Sequence, residues 1–190
     1  LLKGSRDMKK ASFLIVASLA CSGAVFGQTP SPEVRQFVKI DAPVVALTHV
    51  RVIDGTGAPA KQDQTVVVAQ GKIQSMSDAA SASIPQSAQS IDLHGYTIIP
   101  GLVGMHDHMF YPAGDAIFHE MAISFPKLYL AGGVTTIRTT GSIEPYADLA
   151  LKEEIDKGQA VGPHIHVTGP YLEGPGSWAP QLAVLKAPEE

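Results

Sequence analysis

The sequence predicts an α/β protein in two parts. Residues 44–100 read as a small antiparallel β unit, and residues 101–190 as the first three strands of a parallel α/β barrel. Three observations carry this. Between Val44 and Ile99 the chain consists of short β-branched runs separated by turns rich in Gly and Asp. After Pro100-Gly101 the rhythm changes to strand, helix, strand, helix, strand. His106, Thr136 and His166 recur at 30-residue intervals, the length of about one strand–helix–strand step, and eight such steps close a barrel of about 250 residues. A doubly wound open sheet has the same rhythm, but no Gly-rich dinucleotide loop follows the first strand here.

The N-terminal residues 1–27 are not read as fold. Met8-Lys9-Lys10 is a basic start, Ala11 to Phe26 is an apolar run, and Val25 and Gly27 are small residues before Gln28. This is the layout of a secretory signal cleaved after Gly27. It predicts an exported protein, periplasmic or secreted. The run is shorter than the roughly 20 apolar residues of a membrane span, so no stable span is expected after cleavage. Leu1 to Asp7 precede the natural start at Met8. Removing residues 1–27 shifts the formal charge from −4 to −7 and takes away Cys21, the sole cysteine. That balance gives no electrostatic reason for a nucleic-acid partner. An exported domain without disulfides relies on core size or on metal. Residues 28–43 hold Pro30, Pro32 and Pro43 among polar residues and read as a linker.

Val44 to Ile53 is the first expected strand, closed by the turn Asp54-Gly55-Thr56-Gly57. Thr65–Ala69 and Lys72–Met76 flank Gln70-Gly71 as a hairpin. Ala79 to Ser90 reads as a loop. Ile91–Leu93 and Tyr96–Ile99 read as a further hairpin around His94-Gly95. In the second part, Leu102–His108 is expected as a strand. Ala116–Leu130 is expected as a helix from the three-and-four spacing of Phe118, Met121, Ala122, Phe125 and Leu128, with Pro126 kinking or restarting it. Val134–Thr139 is the second strand, Pro145–Lys157 the second helix, stopped by Gly158, and His164–Thr168 the third strand. Ala187-Pro188-Glu189-Glu190 reads as the first turn of a helix without a body, and three strands of a barrel leave an open edge, so the reading expects a truncated chain.

Met105-His106-Asp107-His108-Met109 carries the chemistry. Residues two apart on a strand share a face, so His106 and His108 can chelate one ion between them, while Asp107 points to the opposite face. The motif lies at the C-terminal end of the first barrel strand, where barrel sites are built. His164 and His166 form a second pair of this kind on the third strand, and His49, His94 and His119 are expected on the surface. A catalytic zinc site needs three protein ligands and an open position, so two histidines are an incomplete set.

The chain resembles the imidazolonepropionase-like branch of the amidohydrolase superfamily. The resemblance rests on Val52-Ile53-Asp54-Gly55-Thr56-Gly57, on Gly71-Lys72-Ile73, on the run from Ile91 through Pro100-Gly101-Leu102 to His106-Asp107-His108, and on Ala131-Gly132-Gly133-Val134-Thr135-Thr136-Ile137-Arg138. It implies a (β/α)8 TIM-type barrel beside a small antiparallel β-sandwich, both incomplete here. It implies His106 and His108 as ligands of a divalent metal, zinc first, with one or two ions in the intact parent. The catalytic residues and remaining ligands are expected beyond Glu190. Tyr111, Arg138, His166 and Tyr171 are implied as contacts to a small-molecule substrate. The implied reaction is hydrolysis of a carbon–nitrogen bond in an amide or cyclic amide by metal-activated water, with the chain inactive alone. Two alternatives stay open: a non-catalytic envelope binding module, and a deacetylase or deaminase of the same superfamily.

Overall fold

The computed structural model describes residues 29–115, 117–176, 179, 182 and 184–187. The expected signal, its cleavage point and residues 188–190 of the expected terminal helix lie outside them. Among the described residues, no helix is long and apolar enough to cross a membrane.

A short helix α1, Pro32–Arg35, opens the described chain within the expected linker. Ser31 caps it, its hydroxyl accepting from Val34 N. β1 (Val44–Val52), β2 (Lys61–Ala69) and β3 (Lys72–Asp78) form an antiparallel meander. Gln70 and Gly71, both at positive φ, make its β2–β3 turn as expected. The Asp54 turn also forms: Asp54 Oδ1 accepts from Thr56 N at 3.0 Å and from Thr56 Oγ1 at 2.6 Å. Those bonds hold the Asp54 carboxyl below its usual range.

The hairpin expected around His94-Gly95 is not one. β4 (Gln89–Asp92) and β5 (Thr97–Ile98) run one after the other along the same side of β1, each parallel to it. The reason lies in β1, which bulges between Leu47 and Val50, with His49 at φ 57°. The partner chain jogs at that point through Leu93–Tyr96, with Tyr96 N donating to Leu93 O, and resumes beyond it. The sheet order is β3-β2-β1-β4, with β5 also on β1, so the unit is mixed rather than purely antiparallel. Val50, Val52 and Val66 form its buried cluster.

β6 (Leu102–Asp107), β9 (Val134–Thr139) and β10 (His164–His166) form a parallel sheet in the order β10-β9-β6. The helix expected over 116–130 is replaced in its first half by a hairpin of β7 (Phe110–Gly114) and β8 (Ile117–Glu120). His119 is therefore a strand residue. Gly114 and Asp115, both at positive φ, turn the chain, and Phe110 meets Phe118 edge-to-face at 5.4 Å. Helix α2 begins only at Phe125 (Phe125–Ala131), with Pro126 in its first turn. Proline has no N–H to give an interior helical bond and is tolerated at that position. The inward face uses Phe125 and Tyr129, not Leu128, which is 63% exposed. Helix α3 (Pro145–Asp156) follows the expected span, and Gly158 at φ 67° stops it.

Met109, Ile137, Leu151 and Ile165 are the buried core between this sheet and its helices, with Phe125, Tyr129 and Ile155 packed on them. Ile137 and Ile165 are fully buried, so the residues that alternate with them on β9 and β10 occupy the other face. Register sets Arg138 beside His166 and Thr136 beside His164. On β6, Gly104 pairs with Ile137 and Asp107 with Thr139, leaving Met105 and His106 together opposite Arg138. This bulge corrects the expected equivalence: Arg138, not Thr136, stands between His106 and His166.

Candidate functional site

His106 is exposed near the end of β6, and His108 is half-buried just after it. Their rings meet edge-on, 5.4 Å between centroids. Two imidazoles at that separation can converge on one ion with nitrogen–zinc bonds of about 2.0–2.1 Å. Asp107 lies apart from the pair. A side chain built on Gly104 would fall 1.8 Å from Asp107 Oδ2, so the carboxylate tucks back beneath that glycine, on the face that carries Ile137 and Thr139. The expected opposition of Asp107 to the histidines therefore survives the bulge.

The strand ends are locked by backbone and threonine hydrogen bonds. Thr140 N donates to Asp107 O at 3.1 Å. Thr168 N donates to Thr139 Oγ1 at 2.9 Å, and Gly141 N to Thr168 Oγ1 at 2.9 Å. Tyr129 Oη reaches from α2 to His108 O at 2.9 Å. Burial, with the Asp107 charge, pushes the Tyr129 phenol above its usual range.

The other expected site residues divide. Tyr171 joins the histidines, its Oη 3.5 Å from His108 Nδ1. Arg138 and His166 are side by side on the same exposed face as His106. His164 and His166 make a second edge-on ring pair at 4.6 Å, and His164 Nδ1 is 3.8 Å from Asp156 Oδ1. Tyr111 is 61% exposed and turns to Phe125, ring centroids 6.3 Å apart, on the hairpin side. A cleft of about 380 Å³ opens beside Arg138, Thr140, Gly141, Thr168 and Tyr171. Among the described residues, no three His, Cys, Asp or Glu side chains converge on one ion position.

Sequence reasoning missed an acidic pair behind the histidines. Both carboxylate oxygens of Glu120, on β8, and Oδ1 of Asp148, on α3, are buried, with the two carboxyls beside each other and Ser142 Oγ beside Asp148. Burial first, then the charges of Asp148 and Glu144, pushes the Glu120 carboxyl up to about 8. Burial also raises Asp148. Asp148 in the first turn of α3 looks in the sequence like an ordinary helix-start acid, and Glu120 falls in a stretch whose spacing predicts a helix.

No family model matches the sequence, and no curated protein does. Solved structures do. One described as a prolidase from Bifidobacterium longum is 31% identical with a TM-score of 0.63, over 77% of this chain and 35% of its own. A Xaa-Pro dipeptidase with methionine bound in its active site is 24% identical, TM-score 0.60, over 70% of this chain and 35% of its own. An amidohydrolase is 24% identical, TM-score 0.57, over 70% of this chain and 33% of its own. The chain spans about a third of the length of the structures it matches.

Proposed function

The described residues have the fold of the amidohydrolase superfamily, and on that premise we propose that the intact gene product is a metal-dependent hydrolase of carbon–nitrogen bonds in amides or cyclic amides. The observation that carries the reading is the edge-on pair of His106 and His108, 5.4 Å apart at the C-terminal end of β6. Neutral imidazoles suit zinc, and nickel, cobalt or manganese could replace it. When bound, such an ion supplies Lewis acidity to a carbonyl oxygen and makes water a stronger nucleophile near neutral pH. His106 and His108 would hold it. Among the described residues, no third His, Cys, Asp or Glu joins the pair around one ion position.

This chain's other residues serve binding. Arg138 offers a fixed guanidinium fork for a carboxylate, and His166 stands next to it in register. Their shared exposed face fits the inner wall of a barrel whose other strands complete the enclosure. The prolidase neighbour supports a peptide-like amide as the substrate class.

Elemental analysis of the intact gene product tests the reading. His106→Ala and His108→Ala should lose most bound metal and nearly all turnover. Asp107→Ala should keep the metal, because its carboxylate lies under Gly104 and away from the pair. Full metal content in both histidine variants would refute the ligand assignment.

A further inference from the structure

Tyr171 is built into its place by more than its hydroxyl. Its backbone N donates to Ser142 O at 3.3 Å, and Ser142 and Pro170 form a parallel bridge. Its ring occupies space that only a glycine leaves open. A Cβ on Gly141 would lie 2.5 Å from two atoms of the Tyr171 ring, and Gly141 sits at φ 90°. Phe110 packs against both rings, 4.7 Å from His108 and 6.3 Å from Tyr171. The phenol oxygen therefore faces Nδ1 of His108 by construction of the fold.

A neutral imidazole has one nitrogen that carries a proton and one with a free lone pair. A histidine that binds an ion through one nitrogen uses the other as a donor to a fixed acceptor. At His108 the nitrogen facing Tyr171 is Nδ1, which leaves Nε2 for the ion. Tyr129 holds the same residue from the other side through the His108 carbonyl, fixing backbone as Tyr171 fixes ring.

We propose that Tyr171 is a positioning residue for His108: its oxygen accepts the Nδ1 proton and presents Nε2, unprotonated, to a divalent ion. This rests on the reading of His108 as a ligand and assigns Tyr171 a role other than substrate contact.

Two readouts on the intact gene product test it, one of them without any ion. In the metal-free protein, nitrogen NMR of the His108 ring should show the proton on Nδ1, and Tyr171→Phe should shift it toward Nε2. In chelator competition with zinc, Tyr171→Phe should bind about 10- to 100-fold more weakly, and His108→Ala should bind least. Gly141→Ala, which displaces the ring, should weaken zinc in the same direction. If Tyr171→Phe leaves either the tautomer or the zinc affinity unchanged while His108→Ala loses zinc, the positioning role is overturned and the ligand reading stands. If His108→Ala keeps its zinc, the ligand reading fails and this inference fails with it.

Discussion

Glu120 shows how one side chain ties pH to the integrity of the site. Its carboxyl is buried against the Asp148 carboxyl of α3, within hydrogen-bonding reach of it. Burial and the neighbouring acids move it from an ordinary 4.5 to about 8. A folded-state value above the unfolded one means that the folded chain holds the extra proton. The stability tied to that proton is fully present below about 4.5 and is lost as pH rises through about 8. Asp148 is raised for the same reason and acts in the same direction. Asp54, Glu153 and Asp156 are shifted down by hydrogen bonds to Thr56, Lys157 and Lys152 respectively. Their contributions are lost only as pH falls through their lowered values, on the acid side of the Glu120 window. Denaturant midpoints of the intact gene product should therefore drop between pH 5 and pH 9, and Glu120→Gln should flatten that slope. Parallel slopes in the two proteins would show that Glu120 does not hold the proton.

Elements are legible in the sequence where a local rule decides, and less so where two elements compete for one apolar residue. The Gln70-Gly71 turn needs positive φ and has it, so β2 and β3 were legible. Pro145 at its start and Gly158 at its end made α3 legible. Phe118 reads as helical because its spacing to Phe125 fits a helix, whereas the structure sets its ring against Phe110 across a turn. The pairing of His106 with His108 was visible in the motif, but the bulge beneath it was not, since nothing local marks where β6 takes an extra residue. Gly104 is the element's hidden requirement. Its missing side chain makes room for the Asp107 carboxylate. Gly104→Ala should destabilise the fold by about 1–3 kcal/mol through overpacking. Gly104→Ala with Asp107→Ala should recover much of that loss, a non-additivity that a double-mutant cycle measures as coupling. Additive effects in urea unfolding would mean that the two residues do not compete for the same space.

The whole molecule is uneven in what it covers. The helix-facing side of the parallel sheet is closed by Ile137, Ile165, Leu151 and Met109. The opposite side carries Val103 at 58% and Met105 at 64% exposure beside the histidines and Arg138. Parallel sheets ordinarily have both faces covered, and here β6 and β10 are also unpaired edges among the described residues. The mixed sheet repeats the pattern, with Ile73 at 71% and Ile99 at 57% exposed near Ile53 and Met76. Open edges and apolar faces together favour association with other chains. Residues 28–190 produced alone should therefore bind a hydrophobic dye and sediment as aggregates, with far-ultraviolet dichroism retained and near-ultraviolet signal weak. A longer form of the protein whose added chain covers these faces should bind little dye under the same conditions. A monomer of residues 28–190 that melts in one sharp transition without binding dye would show that the three-stranded sheet and its two helices suffice as a folding unit, and that the exposed apolar face is a surface the chain tolerates.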